Sequence, residues 1–217
     1  VEEMKLGIAT TNRDKLAEAK EILALLGYEI EELAPIEVKE TETTFTGNAV
    51  LKARANALFH KRYCLADDSG ISIEALNGLP GVYSARFAHL TVNWSSFEVT
   101  GEQPDKGFSD INQINNQLLL DKLGSQTNRK GNYTCAIALA SPTGELLATS
   151  EGHCPLELLF EPIGHGGFGY DPICTPLEPA FYGRSFAELL PEEKNVISHR
   201  RRALDELAIW LERNPLG

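Results

Sequence analysis

Two adjacent carboxylates, Asp67-Asp68, stand between Ala66 and Ser69-Gly70, directly after the apolar run Tyr63-Cys64-Leu65. A buried strand that delivers acidic groups to a sheet edge has this form, and Gly70 permits a sharp turn after it. Neighbouring side chains on a strand point to opposite faces, so the two aspartates can take different tasks. One can face a metal ion while the other braces the loop. The same five residues also read as an Asp-rich turn whose carboxylates accept backbone hydrogen bonds.

A second cue is Thr10-Thr11-Asn12-Arg13-Asp14-Lys15, which follows the apolar run Lys5 to Ala9. Beyond it Leu16, Ala19, Leu23 and Leu26 recur at helical spacing, and Gly27 supplies a stop. Backbone N–H groups and the helix dipole at such a junction favour an anion, and Lys15 adds a cation. No P-loop glycine pattern is present, and an ordinary capped helix with Thr11 or Asn12 at its N-cap fits equally.

The third cue places four glycines within six residues, Gly164 to Gly169, beside Phe168, Tyr170 and Asp171. The backbone can approach a ligand closely there. Phe168 and Tyr170 offer ring faces to a nucleobase, and Asp171 can accept from a ring N–H. A glycine-rich hairpin whose aromatics cap the core is the competing reading. Downstream, Lys194, His199 and Arg200 make the acidic chain locally basic. A single histidine is more often structural than functional.

The elements that must position these groups alternate between strand and helix. A strand at Lys5–Ala9 precedes the first helix, Glu29–Leu33 reads as a second strand, and a helix spans Phe45 to Lys61. The small residues Ala49, Ala53 and Ala57 predict close packing of that helix. Lys52 and Arg54 lie early in it, where the dipole disfavours a cation, so a nearby anion is expected. Ile71–Ala75 is strand-like, Gly78-Leu79-Pro80-Gly81 is a turn, and Thr91–Asp110 reads as a polar loop. A helix at Ile111–Leu123 follows. Asn132–Ala140 and Glu145–Glu151 form a hairpin about Ser141-Pro142-Thr143-Gly144, and Cys154–Phe160 is a further short strand. Pro191–Arg200 leads into a last helix with Ile197, Leu204, Leu207 and Leu211 on its apolar stripe. The pattern is α/β with a mixed sheet.

Composition bounds the function. The chain has 217 residues, 42% of them hydrophobic, enough for one domain of two lobes with a substantial core. Met4-Lys5-Leu6 reads as a natural start, with Val1–Glu3 as an expression remnant. No apolar run has the length of a membrane span and no signal-peptide pattern is seen, so no membrane partner is expected. Cys64, Cys135, Cys154 and Cys174 show no Cys-x-x-Cys spacing and read as buried thiols in a reducing cytoplasm. A net charge of −11 argues against a nucleic-acid-coating surface. A small phosphorylated substrate needs only local cations.

Together these motifs resemble the inosine triphosphate pyrophosphatase (ITPase) family. The match is carried by Ala9-Thr10-Thr11-Asn12 with Lys15, Glu40-Thr41 with Thr44-Phe45, Asn48 to Arg54, and Ala66 to Ile71. It continues in Pro80 to Arg86, Gly166 to Pro172, and Phe186-Ala187-Glu188-Leu189 through Glu193-Lys194 to Ile197-Ser198-His199-Arg200. These blocks stand in family order over nearly the whole chain. The resemblance implies an ITPase-like mixed α/β sheet, two lobes flanking a central substrate cleft, a homodimer, and dependence on Mg²⁺. The reaction it implies converts ITP, dITP or XTP and water to the monophosphate and pyrophosphate. It further implies that Thr10, Thr11, Asn12, Arg13, Asp14 and Lys15 hold the triphosphate and that Glu40 and Asp68 bind the metal. Asp68 is then also the proton acceptor, and Ser69 touches substrate. Lys52 and Lys194 become phosphate ligands, while Phe168, Gly169, Tyr170, Asp171, His199 and Arg200 hold the base. The chain departs from the family pattern at Thr11, where many members have glycine, at Arg13-Asp14, at the longer 91–110 loop and at Arg201.

Such chemistry suits these residue types. A triphosphate repels a hydroxide-like nucleophile unless cations intervene, and Mg²⁺ accepts one or two carboxylates while keeping waters and phosphate oxygens. Lysines offset charge developing on the bridging oxygen. An aspartate becomes a useful base near neutral pH only if its neighbours tune its pKa. Hypoxanthine and xanthine present a 6-oxo acceptor where adenine presents a 6-amino donor, so a pocket lined by donors rejects adenine. Two other readings fit the motifs: a related pyrophosphatase of broader or pyrimidine preference, and a non-catalytic nucleotide sensor.

Overall fold

The structure is a computed structural model that describes residues 4–10, 13–34, 36–104, 107 and 110–216, without the side chains of Asp14 and Glu18. Its strands are β1 (Met4–Ala9), β2 (Tyr28–Leu33), β3 (Cys64–Ile73), β4 (Leu90–Asn93), β5 (Glu98–Glu102), β6 (Lys130–Ala140), β7 (Leu146–Leu158) and β8 (Cys174–Pro176). Its α-helices are α1 (Arg13–Leu23), α2 (Phe45–His60), α3 (Ile111–Leu123), α4 (Pro191–Ile197) and α5 (His199–Arg213). The fold class is α/β with a mixed sheet, as the alternation of patterns predicts. None of the described helices is long and apolar enough to cross a membrane.

The chain divides into two compact units, and the residues of β3, β6 and β7 are shared out between them. The first comprises residues up to Ser69, Thr134–His153 and Ser198 onward. Its strand order is β2-β1-β3-β6-β7, and β1 pairs in parallel with both β2 and β3. One of its two apolar clusters joins Leu6, Ile8, Leu16, Ile22 and Leu65 to Leu204 and Leu207 of α5. The other is a layer of small side chains: Ala49, Ala53 and Ala57 of α2 meet Ala66 of β3 and Ala136, Ala138 and Ala140 of β6. Thr44 caps α2 by accepting from Gly47 N at 3.0 Å, and Lys61 ends it in the left-handed region at φ 53°.

The second unit comprises Gly70–Tyr133 and Cys154–Ile197. There β8 pairs antiparallel with β7, and the core gathers Ile71, Ile73, Phe87, Leu119, Leu123, Leu156, Leu158 and Ile173.

Four expectations are corrected. Gly70 makes no turn; it is a residue of β3, which continues to Ile73, and it is not among the glycines of positive φ. Leu90–Asn93 and Glu98–Glu102 pair as an antiparallel ribbon inside the stretch expected as loop, with Leu90, Val92, Phe97 and Val99 packed on the core. The strands expected at Glu145–Glu151 and Cys154–Phe160 are one, β7, whose burial alternates along its length. Ser198 interrupts the last helical pattern, capping α5 by accepting from Arg201 N at 3.3 Å. All four cysteines are free and buried. Burial pushes the Cys64 and Cys135 thiols up to about 12.

Candidate active site

The strand period separates the two aspartates of β3, and each pairs directly with a different lysine. Asp68 is buried, 8% exposed. Its Oδ1 accepts from Lys52 Nζ at 2.9 Å and its Oδ2 from Asn48 Nδ2 at 3.2 Å. Lys52 also donates to Glu40 Oε1 at 2.8 Å, so one ammonium joins the two carboxylates. The anion expected near Lys52 is therefore there twice over. Asn48 and Lys52 are four residues apart and share one face of α2. The alanine layer lets that face approach β3.

Burial dominates the balance at Asp68 and raises its pKa, although Lys52 and Asn48 pull the other way and Glu40 adds to the rise. Burial opposes the charge on Lys52 as well, yet Asp68 and Glu40 together raise its pKa. The ammonium is thus held charged between them. A buried carboxylate with a raised pKa is better matched to proton abstraction than a free aspartate.

On the other face of β3, Asp67 Oδ2 accepts from Lys15 Nζ at 2.7 Å and from Ser69 Oγ at 3.0 Å. Burial works against its charge, but Lys15, Arg200 and Lys52 hold its carboxyl below the usual range. Lys15, Asp67 and Arg200 line a small hollow closed by Ile8, Leu65 and Leu204. Arg200 is buried in the first turn of α5, and His199, at its first residue, is half-buried. Thr10 is half-buried after β1, and Arg13 is exposed at the start of α1. Thr11, Asn12 and the Asp14 side chain lie outside the described residues.

The second unit holds the rest. Phe168 is 48% exposed, whereas Tyr170 is buried and donates from its hydroxyl to Ser84 O at 2.7 Å. Asp171 is buried, accepting on Oδ2 from Phe168 N at 2.8 Å and from Lys194 Nζ at 2.5 Å, and on Oδ1 from Tyr133 Oη at 3.4 Å. The Lys194 ammonium also lies 4.9 Å from the centre of the Phe168 ring. Gly169 has φ 62° and its carbonyl accepts from Asn116 Nδ2 at 3.0 Å. The structure therefore gathers Phe168, Asp171 and Lys194 into one group, in which Phe168 presents the exposed ring and Tyr170 serves as an anchor.

Two expected metal ligands, Glu40 and Asp68, lie within reach of a single cation, Lys52 Nζ. Among the described residues, no group of three His, Cys, Asp or Glu side chains forms a ready metal cage. Two carboxylates suit Mg²⁺, a hard cation that keeps several waters and takes phosphate oxygens. The donor set fits that ion. Sequence reasoning missed Asn48 as a site residue; it is an amide one helical turn before Lys52, on the same polar stripe of α2.

A family model described as the Ham1 family matches residues 6–210 of the chain. A dITP/XTP pyrophosphatase of Exiguobacterium sp. strain AT1b is 43% identical over 209 residues, covering 94% of this chain and 95% of that one. Another, of Bacillus subtilis strain 168, is 41% identical over 211 residues, covering 94% and 96%. Among solved structures, a HAM1 protein from Coxiella burnetii superposes with a TM-score of 0.79 at 34% identity, over 97% of this chain and 99% of that one.

Proposed function

Because the chain belongs to the Ham1 family, we infer that it hydrolyses deaminated purine nucleoside triphosphates, namely ITP, dITP and XTP. The products are the monophosphate and pyrophosphate. Water adds to phosphorus, the anhydride bond between the α and β phosphoryl groups breaks, and the water's proton passes to a base. The observation that carries this reading is the Glu40–Lys52–Asp68 set on the first unit, a paired-carboxylate and ammonium arrangement of the kind phosphoryl chemistry uses. It is supported by relatives that bear the name dITP/XTP pyrophosphatase.

Asp68 is the proton acceptor in this proposal, buried on β3 with its two oxygens held by Lys52 and Asn48. Glu40 and Asp68 would hold Mg²⁺, which when bound supplies Lewis acidity toward phosphate oxygens. Lys52 offsets charge on the phosphates, and the 10–15 segment with Lys15 binds them from the N-terminal end of α1. Ser69, hydrogen-bonded to Asp67, contributes a hydroxyl for substrate. Phe168 offers its exposed ring to the base and Lys194 adds a cation beside it, with Gly169, Tyr170 and Asp171 shaping that segment. His199 and Arg200 act as donors toward a 6-oxo group. We assign the whole chain to a single ITPase-like domain of two lobes that assembles as a homodimer and clears a cytoplasmic nucleotide pool.

The deciding experiment measures pyrophosphate release from ITP, dITP, XTP, GTP, ATP and dTTP, each with and without Mg²⁺. Turnover of the first three alone, and only with the metal, is expected. Preference for dTTP would favour the pyrimidine alternative, and binding without product would favour a sensor. Asp68→Asn is expected to abolish turnover while the thermal melt survives; wild-type rates in that variant would remove Asp68 from the mechanism.

A further inference from the structure

The segment that carries Glu40 lies along a polar stripe of α2. Asn48, Lys52 and Asn56 recur every four residues and so fall on one face of the helix. Each engages that segment in reverse order. Asn48 Oδ1 accepts from Glu42 N at 3.0 Å, Lys52 Nζ donates to Glu40 Oε1 at 2.8 Å, and Asn56 Oδ1 accepts from Ile36 N at 3.3 Å. The two asparagines are 0% and 2% exposed. Buried amides persist where their hydrogen bonds are satisfied, so each is committed to its partner.

Asn48 does more than pin the segment. Its Nδ2 donates to Asp68 Oδ2 at 3.2 Å while its Oδ1 holds the Glu42 N–H. Only one orientation of the amide satisfies both, because a backbone N–H can only donate and a carboxylate can only accept. With Oδ2 committed to Asn48, the carboxylate plane of Asp68 is fixed and Oδ1 is directed to Lys52.

We propose that Asn48 is a positioning residue for the hydrolysis, setting the rotation of the Asp68 carboxylate and its register against the Glu40 segment. The proposal rests on the functional reading given above. Outer partners that orient carboxylates in such sites typically govern about 10–100-fold of activity.

Asn48→Asp keeps an acceptor for the Glu42 N–H and removes the donor to Asp68. It is expected to lower kcat for dITP by about 10–100-fold with little change in KM. Hydrogen exchange of the Glu42 amide, read without nucleotide, is expected to remain slow in Asn48→Asp and to become fast in Asn48→Leu. Asn48→Ser carries the same expectation for turnover and serves if the aspartate variant fails to fold. Wild-type kcat in both Asn48→Asp and Asn48→Ser overturns the proposal. So does a loss of rate in Asn48→Asp accompanied by fast Glu42 exchange, because Asn48 would then act on the loop alone. Wild-type protein that releases no pyrophosphate from dITP marks failure of the functional reading instead. The Glu42 exchange rates still test what Asn48 holds.

Discussion

Lys52 Nζ donates to Asp68 Oδ1 at 2.9 Å and to Glu40 Oε1 at 2.8 Å, which makes this one side chain the joint between a helix, a strand and a loop. Burial opposes its charge and the two carboxylates favour it, and the pairing decides it. Function follows from that contest, because a cation kept charged between two carboxylates is ready to meet phosphate.

Replacing Lys52 with Met removes the shared donor and leaves Glu40 and Asp68 facing one another. Pyrophosphate release is expected to fall by about 100-fold or more, comparable to losing one preorganised donor at a developing negative charge. Stability should drop by about 1.5–3 kcal/mol, the range for hydrogen bonds to charged groups. Steady-state assay and urea denaturation of the same preparation measure both.

Asp67 predicts a pH dependence of stability. Its folded pKa is depressed, chiefly by Lys15 and Arg200 against the opposing effect of burial. The stabilisation is therefore complete above the unfolded carboxylate value of about 4 and is lost as pH falls toward the folded value. Asp67→Asn should flatten the acid side of a stability-against-pH curve and leave the pH 6–8 region parallel to wild type. Urea midpoints measured from pH 3 to pH 8 test this; an unchanged acid slope would remove Asp67 as a contributor.

Gly167 holds Phe168 in place through a conformation a side chain disturbs. Its φ is 72°, and a Cβ there would lie 2.2 Å from Asp171 Oδ2, the oxygen that accepts from Phe168 N. Gly167→Ala is expected to cost about 1–3 kcal/mol of stability and to raise KM more than it lowers kcat. A thermal melt and a kcat against KM comparison separate the two effects.

Much of this was legible in residue order. The apolar periods of β1, α1, α2, α3 and the β6–β7 hairpin stand out because each element buries a face. The β4–β5 ribbon did not, since its inward residues Leu90, Val92 and Val99 alternate with polar ones on a short exposed pair. Gly70 misled because glycine is the residue a turn would require, yet β3 needs no positive φ there. At the site, the charged residues were visible by type, and Lys52 was expected to need an anion. Asn48 was not, because a neutral amide carries no charge cue and only its two hydrogen bonds disclose its task. Tyr170 looked like a ring for stacking, but burial and its bond to Ser84 make it a tether.

The alanine layer between α2 and the sheet has a further consequence. Ala49, Ala53 and Ala57 against Ala66, Ala136, Ala138 and Ala140 act as a spacer whose thickness is one methyl group per side. Beside that layer Lys52 and Asn48 of the same helix reach Asp68 at 2.9 and 3.2 Å. A valine in the layer would alter no charged group and no hydrogen-bonding atom, yet it would lift both side chains off their carboxylate together. The working distances of the site are thus written in residues that do no chemistry.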